Sequence, residues 1–187
     1  ALITIVWIVG ITNSINFFDN LDGGASGTVT LTSIALLFLA LQGEQYLIAA
    51  MAAVLAGATL GFLIWNKPPA RIYMGDAGAL FLGLLIASLV IRLDTNPINN
   101  FATFSIPILL LAVPIMDTSV AVLSRLQRGI SPFQGGKDHL SHRLIRSGLS
   151  KRLSVISLWI MTAYFASIAI VISFAPFKFE GVISLIG

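Results

Sequence analysis

Residues 46–66 read YLIAAMAAVLAGATLGFLIWN, a run from Tyr46 to Asn66 with no charged side chain. Coiled as a helix at about 1.5 Å per residue, 21 residues extend about 31 Å, the thickness of a bilayer's hydrocarbon core. Apolar residues occupy every side of that helix, so no face is left for water. Four more apolar runs lie outward from it, at 26–42, 79–93, 101–126 and 153–175. The composition agrees: of 187 residues, 57% are hydrophobic and 10% charged, where a soluble domain carries about 25% charged residues. That is too little polar surface to cover a water-soluble globule. The expected fold is therefore all-α, a polytopic transmembrane helix bundle with about five complete spans in a single domain, 1–187.

The runs at 26–42 and 79–93 are short for a bilayer and need their polar flanks at the interface. The run at 101–126 holds Pro107 and Pro114 and is expected to bend there, because proline removes a donor and clashes with the preceding turn. The chain opens on the apolar stretch 1–11, which reads as the second half of a span, and 182–187 reads as the start of another. Both ends read as cuts. There is no cysteine, which removes disulfide and zinc–thiolate readings. A net charge of +3 argues against nucleic acid as a partner.

Alternating the connections across the membrane sorts the basic residues. Lys67, Arg71, Arg125, Arg128, Lys137, Arg143, Arg146, Lys151 and Arg152 share one side, and only Arg92 and Lys178 fall on the other. The positive-inside rule makes the first side cytoplasmic, with loops at about 13–25, 67–78 and 127–152. Asp19, Asp22, Asp76, Asp117, Asp138, His139 and His142 fall on that side, while Glu44, Asp94 and Glu180 fall on the other. Acidic residues contribute little to topology, so this asymmetry asks for a chemical reason.

Four stretches carry the polar chemistry. In NSINFFDNLDGG (13–24), Asn13, Asn16, Asp19 and Asp22 recur every third residue and form one polar edge of a helix. Gly23 and Gly24 suit its C-cap. A helix end fraying into water is the bland reading, although a plain stop would favour Lys or Arg over two acids facing the macrodipole. In NKPPARIYMGDAG (66–78), Asp76 stands at the start of an apolar helix, where it could serve only as an N-cap. A helix start is equally an anion site, and flanking glycines let phosphate or metal approach. In PIMDT (114–118), Asp117 lies about 24 Å along a straight helix counted from Phe101. It could be functional or simply paired with Arg125 or Arg128. In GGKDHLSHRL (135–144), one helical turn would bring His139, His142 and Lys137 or Arg143 together. That cluster suits a diphosphate better than zinc, which lacks a third soft ligand here. A basic loop drawn to anionic lipid is the alternative.

Taken together and in this order, the four stretches resemble the polyprenyl-phosphate N-acetylhexosamine-1-phosphate transferases. This family includes enzymes that initiate O-antigen and wall teichoic acid, and the phospho-N-acetylmuramoyl-pentapeptide translocases. The family patterns Asn-x-x-Asn-x-x-Asp-x-x-Asp-Gly, Pro-Ala-x-x-x-Met-Gly-Asp-x-Gly, Pro-Ile-x-Asp-Thr and His-x-x-His-Arg-Leu look like residues 13–23, 69–78, 114–118 and 139–144. Ala79 and Gly24 replace a common Ser and Leu. The single His-x-x-His resembles the N-acetylhexosamine branch more than the muramoyl-pentapeptide branch.

The resemblance implies transfer of N-acetylhexosamine-1-phosphate from a UDP-N-acetylhexosamine to polyprenyl (undecaprenyl) phosphate, releasing UMP. It implies a multi-pass protein of the cell (inner or plasma) membrane with a cytoplasmic site. Magnesium is the implied cofactor, with manganese as a substitute, held by Asp76 with Asp22 and Asn16. Asp19, Asp22, Asp117, His139 and His142 are the implied catalytic residues. Asn13, Asn16, Asn66, Lys137 and Arg143 are the implied substrate-binding residues. The lipid bilayer is a partner, and a homodimer is an option. The family's aspartate-rich motif with adjacent Asp-Asp occurs nowhere in 1–187. It is expected upstream of Ala1, which makes this stretch alone inactive. A transporter, or an inactive lipid-binding relative, is the competing reading. Transport sites sit near the bilayer midplane, whereas these polar residues gather at one interface.

Overall fold

The computed structural model describes residues 1–94, 100–131, 136 and 138–174, with the side chains of 100–102 outside the description. Lys137, expected to bind substrate, lies outside the described residues, as do Lys178, Glu180 and the run 182–187. The chain folds into α1 (Leu2–Phe18), α2 (Gly24–Gln42), α3 (Tyr46–Asn66), α4 (Gly75–Val90), α5 (Asn100–Leu110), α6 (Ala112–Gln127), α7 (Leu140–Arg146) and α8 (Lys151–Phe174). Among the described residues there is no strand.

The central post is α2. Of its apolar window, 72% is buried inside the protein, against 28% for both α3 and α8. The sequence of α2 explains that position: small and hydroxyl residues run along it and let neighbours approach closely. Thr30 Oγ1 donates to Thr59 Oγ1 of α3 at 2.8 Å, and Thr28 meets Thr162 of α8 at 3.5 Å. Gly27 leaves room for Trp159, whose Nε1 would lie 2.2 Å from an added Cβ. Gly83 of α4 plays the same part against Thr12 of α1, whose Cα would stand 2.8 Å from a Cβ there. Outer faces of α3 and α8 expose Leu47, Val54, Ile64, Ile160 and Val171, as lipid-facing helices do.

Three helices, α2, α3 and α8, are long and apolar enough to cross a membrane, and α5 with α6 makes a fourth if read as one broken span. Five complete spans were expected. The difference lies in the run at 79–93, realised as the 16-residue α4, about 24 Å long. The run 1–11 extends through Asn13 and Asn16 to Phe18 as the 17-residue α1.

The expected bend falls at one point, Leu111, where α5 and α6 turn through 71°. Pro114 causes it by denying Leu110 its helical donor. Thr32 Oγ1 donates to that carbonyl instead, at 3.0 Å. Pro107 stays inside α5 without breaking it. The straight count to Asp117 therefore fails: Asp117 stands less than two turns beyond a sharp corner, not at the end of a rod.

Helix ends alternate between two faces of the bundle. Gln45 exchanges two bonds with the Asp94 backbone, at 2.8 and 2.9 Å, and Ser173 donates to Gln42 at 3.0 Å. These pairs mark one face. The 18–24 turn, the 67–74 loop and α7 mark the other.

Candidate active site

The polar edge of α1 runs straight into the site. Asn13 is spent locally, its Nδ2 donating to Val9 O at 2.8 Å. One turn on, Asn16 Nδ2 donates to Asp76 Oδ1 at 3.2 Å, joining α1 to the start of α4. The helix ends at Asp19, whose N–H bonds back to Ile15 O and Asn16 O, so the expected helical edge stops at Asn16, and Asp19 and Asp22 lie in the turn beyond it. The glycines serve the next element rather than capping α1: Gly23, at φ 75°, is the N-cap of α2. That left-handed conformation favours glycine.

Two bonds pin the loop that delivers Asp76. Asp22 Oδ2 accepts the Ala70 N–H at 3.1 Å. Asn66, buried at the end of α3, accepts from Gly23 N at 3.1 Å and Ser26 Oγ at 2.7 Å. Its Nδ2 donates to Ile72 O at 3.0 Å. Asn66, expected to bind substrate, is thus occupied in holding the 67–74 loop against the α1–α2 turn. Asp76 lies inside the first turn of α4, after N-cap Met74, and makes no capping bond. The pure N-cap reading therefore does not describe it. Its exposed carboxylate faces Asn16 and sits at the positive end of the helix dipole.

Three carboxylates from two separate stretches thus gather. Burial, then the charges of Asp22 and Asp76, push the Asp19 pKa up from 3.8 to about 6. Among the described residues none of the three makes an ion pair. A concentration of negative charge without a protein cation is a donor set that suits a divalent cation. No three His, Asp or Glu side chains among the described residues form a cage by themselves. A hard cation that takes one or two carboxylates plus substrate oxygens and water does not need one.

Beside this cluster stands a second, built from α6 and α7. Asp117 is fully buried. Its Oδ1 accepts the Leu140 N–H and its Oδ2 meets His139 Nδ1, both at 2.7 Å. The other imidazole nitrogen, Nε2, faces Arg125 Nη2 at 3.3 Å. A guanidinium only donates, so Nε2 must accept and the ring proton sits on Nδ1. Arg125 Nε also bonds Asp138 Oδ2 at 3.2 Å, and Arg128 bonds Asp138 Oδ1. Partial burial raises the Asp138 pKa, but the two guanidinium hydrogen bonds outweigh it and hold the carboxyl below its usual range. Phe17 of α1 underlies the group, 5.9 Å from the Arg125 guanidinium carbon and 6.3 Å from the His139 ring. His139 and His142 do come together, at 6.3 Å between centroids. Arg143 Nε donates to Asp138 O at 3.2 Å and its side chain remains exposed.

His139 was expected to grip a diphosphate, yet both its ring nitrogens are engaged within the protein. The anticipated alternative, Asp117 paired with Arg125 or Arg128, is realised indirectly, with His139 standing between Asp117 and Arg125. Sequence reading weighed Arg125 only as a direct partner of Asp117 and missed Asp138, Phe17, Asn20 and Ser141 as parts of this cluster; Ser141 Oγ donates to Asn20 Oδ1 at 2.5 Å. The signal Arg125 carried was its place in the last turn of the helix, two turns beyond Asp117. Asn20 and Ser141 are 121 positions apart, and nothing local announces their meeting.

Residues 1–94, the half that carries the carboxylates, match the family described as Glycosyl transferase family 4. The chain is 40% identical over 173 residues to the "Probable undecaprenyl-phosphate N-acetylglucosaminyl 1-phosphate transferase" of Bacillus subtilis, covering 92% of this chain and 48% of that protein. It is 34% identical over 180 residues to the decaprenyl-phosphate N-acetylglucosaminephosphotransferase of Mycolicibacterium smegmatis, covering 85% and 44%. Against the phospho-N-acetylmuramoyl-pentapeptide-transferase of Halalkalibacterium halodurans it is 32% identical over 171 residues, covering 90% and 50%. The chain spans about half the length of the curated relatives it matches. An apolar helical bundle that gathers its carboxylates at one membrane face, with this sequence likeness across its length, belongs to glycosyl transferase family 4.

Proposed function

We propose that this chain supplies part of the membrane-embedded site of an enzyme that transfers N-acetylhexosamine-1-phosphate from a UDP-sugar to a polyprenyl phosphate. The reaction takes place at the cytoplasmic face of the plasma (inner) membrane. An oxygen of the lipid phosphate attacks the β-phosphorus, the bond to the bridging oxygen breaks, and UMP leaves. The observation that carries this reading is the convergence of Asp19, Asp22 and Asp76 with Asn16 at one end of the bundle. The relatives' names support a polyprenyl phosphate and an N-acetylglucosamine phosphate as the substrate classes.

Asp76, Asp22 and Asn16 would hold Mg²⁺, or Mn²⁺ in its place, which when bound supplies charge neutralisation for the phosphates. Phosphoryl transfer asks a protein mainly for positioning and electrostatic stabilisation. Asp19, raised toward neutrality, can keep or release a proton near the lipid phosphate. His142 and Arg143 offer donors to the diphosphate, and Lys137 adds a charge on the same loop. Asp117 and His139 act by fixing α7, so that those donors are presented in one orientation. Asn13 and Asn66 frame the nucleotide side, Asn66 through the loop it holds. The lipid-facing surfaces of the helices leave the prenyl chain in the bilayer beside the site.

Asp76→Asn in the full-length protein tests this assignment. Asp76 is exposed and its carboxylate holds a single bond, from Asn16, so the fold should survive the change to Asn and metal-dependent UMP formation should disappear. Near wild-type turnover in that variant would refute the role given to Asp76.

A further inference from the structure

At the same end of the bundle, behind the 67–74 loop, a cavity of about 350 Å³ opens between the end of α3 and the start of α8. Lys67, Arg71 and Arg152 line it, arriving from the end of α3, the following loop and the first turn of α8. No carboxylate lines it, and among the described residues none of the three cations forms an ion pair. Three like charges brought from three segments to one cavity repel each other unless an anion joins them. The cavity wall on the bundle's exterior is Ile64 and Trp65, both more than half exposed at the end of a membrane helix. Trp65 also carries the Arg71 guanidinium at 5.6 Å from its ring centroid, and an indole prefers the membrane–water boundary. The anion is therefore met at headgroup depth, with hydrocarbon alongside.

We propose that Lys67, Arg71 and Arg152 bind the phosphate of an anionic membrane phospholipid. None of the three clustered carboxylates lines the pocket; Asp22 instead accepts the Ala70 N–H of the same loop. Phosphate chemistry is shared by a lipid headgroup and a soluble phosphate. Trp65 and Ile64 favour the lipid, whose acyl chains would run along them. Basic pockets beside membrane helices bind headgroups in this way.

The test uses the full-length protein in detergent and native mass spectrometry, titrating phosphatidylglycerol or phosphatidylcholine. Wild type should retain phosphatidylglycerol at concentrations where phosphatidylcholine is lost. Each of Lys67→Gln, Arg71→Gln and Arg152→Gln should weaken that preference about fivefold, the contribution of one basic residue near a membrane surface. Arg152→Lys should keep most of it, which separates loss of charge from loss of fold. Equal retention of the two lipids by wild type, or an undiminished preference in the triple Gln variant, would overturn the proposal. A second arm adds inorganic diphosphate at matched ionic strength. Persistence of the bound lipid is the expected result, and its displacement would assign the pocket to a soluble anion and overturn the lipid source.

Discussion

Asp117→Ala should undock α7 while leaving the bundle intact. Asp117 accepts the His139 Nδ1–H and the Leu140 N–H, both at 2.7 Å, from a fully buried position. Truncation leaves two buried donors unpaired, at about 1–3 kcal/mol each. At seven residues, α7 is too short to hold its shape alone. It depends on Asp117, on the Ser141–Asn20 bond, and on Leu140 and Leu144 packed against a small core containing Phe18 and Leu158. It can therefore escape most of the penalty by detaching into water. A loss of about 3 kcal/mol corresponds to roughly 100-fold faster exchange of the amides in 140–146. Hydrogen–deuterium exchange read by mass spectrometry measures it, with α2 and α3 as unchanged references.

Asp117→Asn sharpens the test. An amide has one acceptor oxygen for two donors, and its NH₂ must face either the Leu140 N–H or His139. Turning the NH₂ toward His139 forces the ring proton onto Nε2, donor against donor with Arg125. Asn should thus behave like Ala rather than like Asp. If the protection of α7 is unchanged in the Ala variant, or fully retained in Asn, the clamp assigned to Asp117 and His139 is wrong.

Asp19→Asn concerns pH. A folded-state pKa raised from 3.8 to about 6 means the charged carboxyl opposes folding. Wild type should match the variant in acid and lose ground as pH rises from 3.8 through about 6, leaving the variant with the higher apparent Tm at neutral pH. A thermal scan series in detergent without divalent cations checks it, and a Tm difference independent of pH would contradict it. Gly27→Ala should lower stability by about 1–3 kcal/mol through overpacking, since its Cβ would fall 2.2 Å from Trp159 Nε1. That contact would also disturb the 3.0 Å bond from Trp159 to Gly23 O. Thermal unfolding followed by tryptophan fluorescence reports both effects, and an unshifted midpoint would show that α8 can move away freely.

By itself the sequence determined the helical membrane fold, the helix limits of Tyr46–Asn66 and the family. It also indicated that Asp19, Asp76 and His139 share a face. These follow from local quantities: the hydropathy of a 21-residue run and the alternation of connections. Lipid as solvent makes such signals strong, because backbone groups have no partner there except within the helix itself. Only the tertiary structure decided which polar side chains are spent inside the protein and which stay open. Asn66 and Asp76 frame one motif, yet Asn66 is buried in three hydrogen bonds while Asp76 lies open at a helix start. The corner at Leu111 needed Thr32, 78 positions from Leu110, to satisfy the freed carbonyl, and that corner sets where Asp117 points. The Asp117–His139–Arg125–Asp138 group depends on how α7 docks on α6 and α8. Long-range pairings of this kind arise from the global geometry of the bundle, so short-range patterning along the chain cannot reveal them.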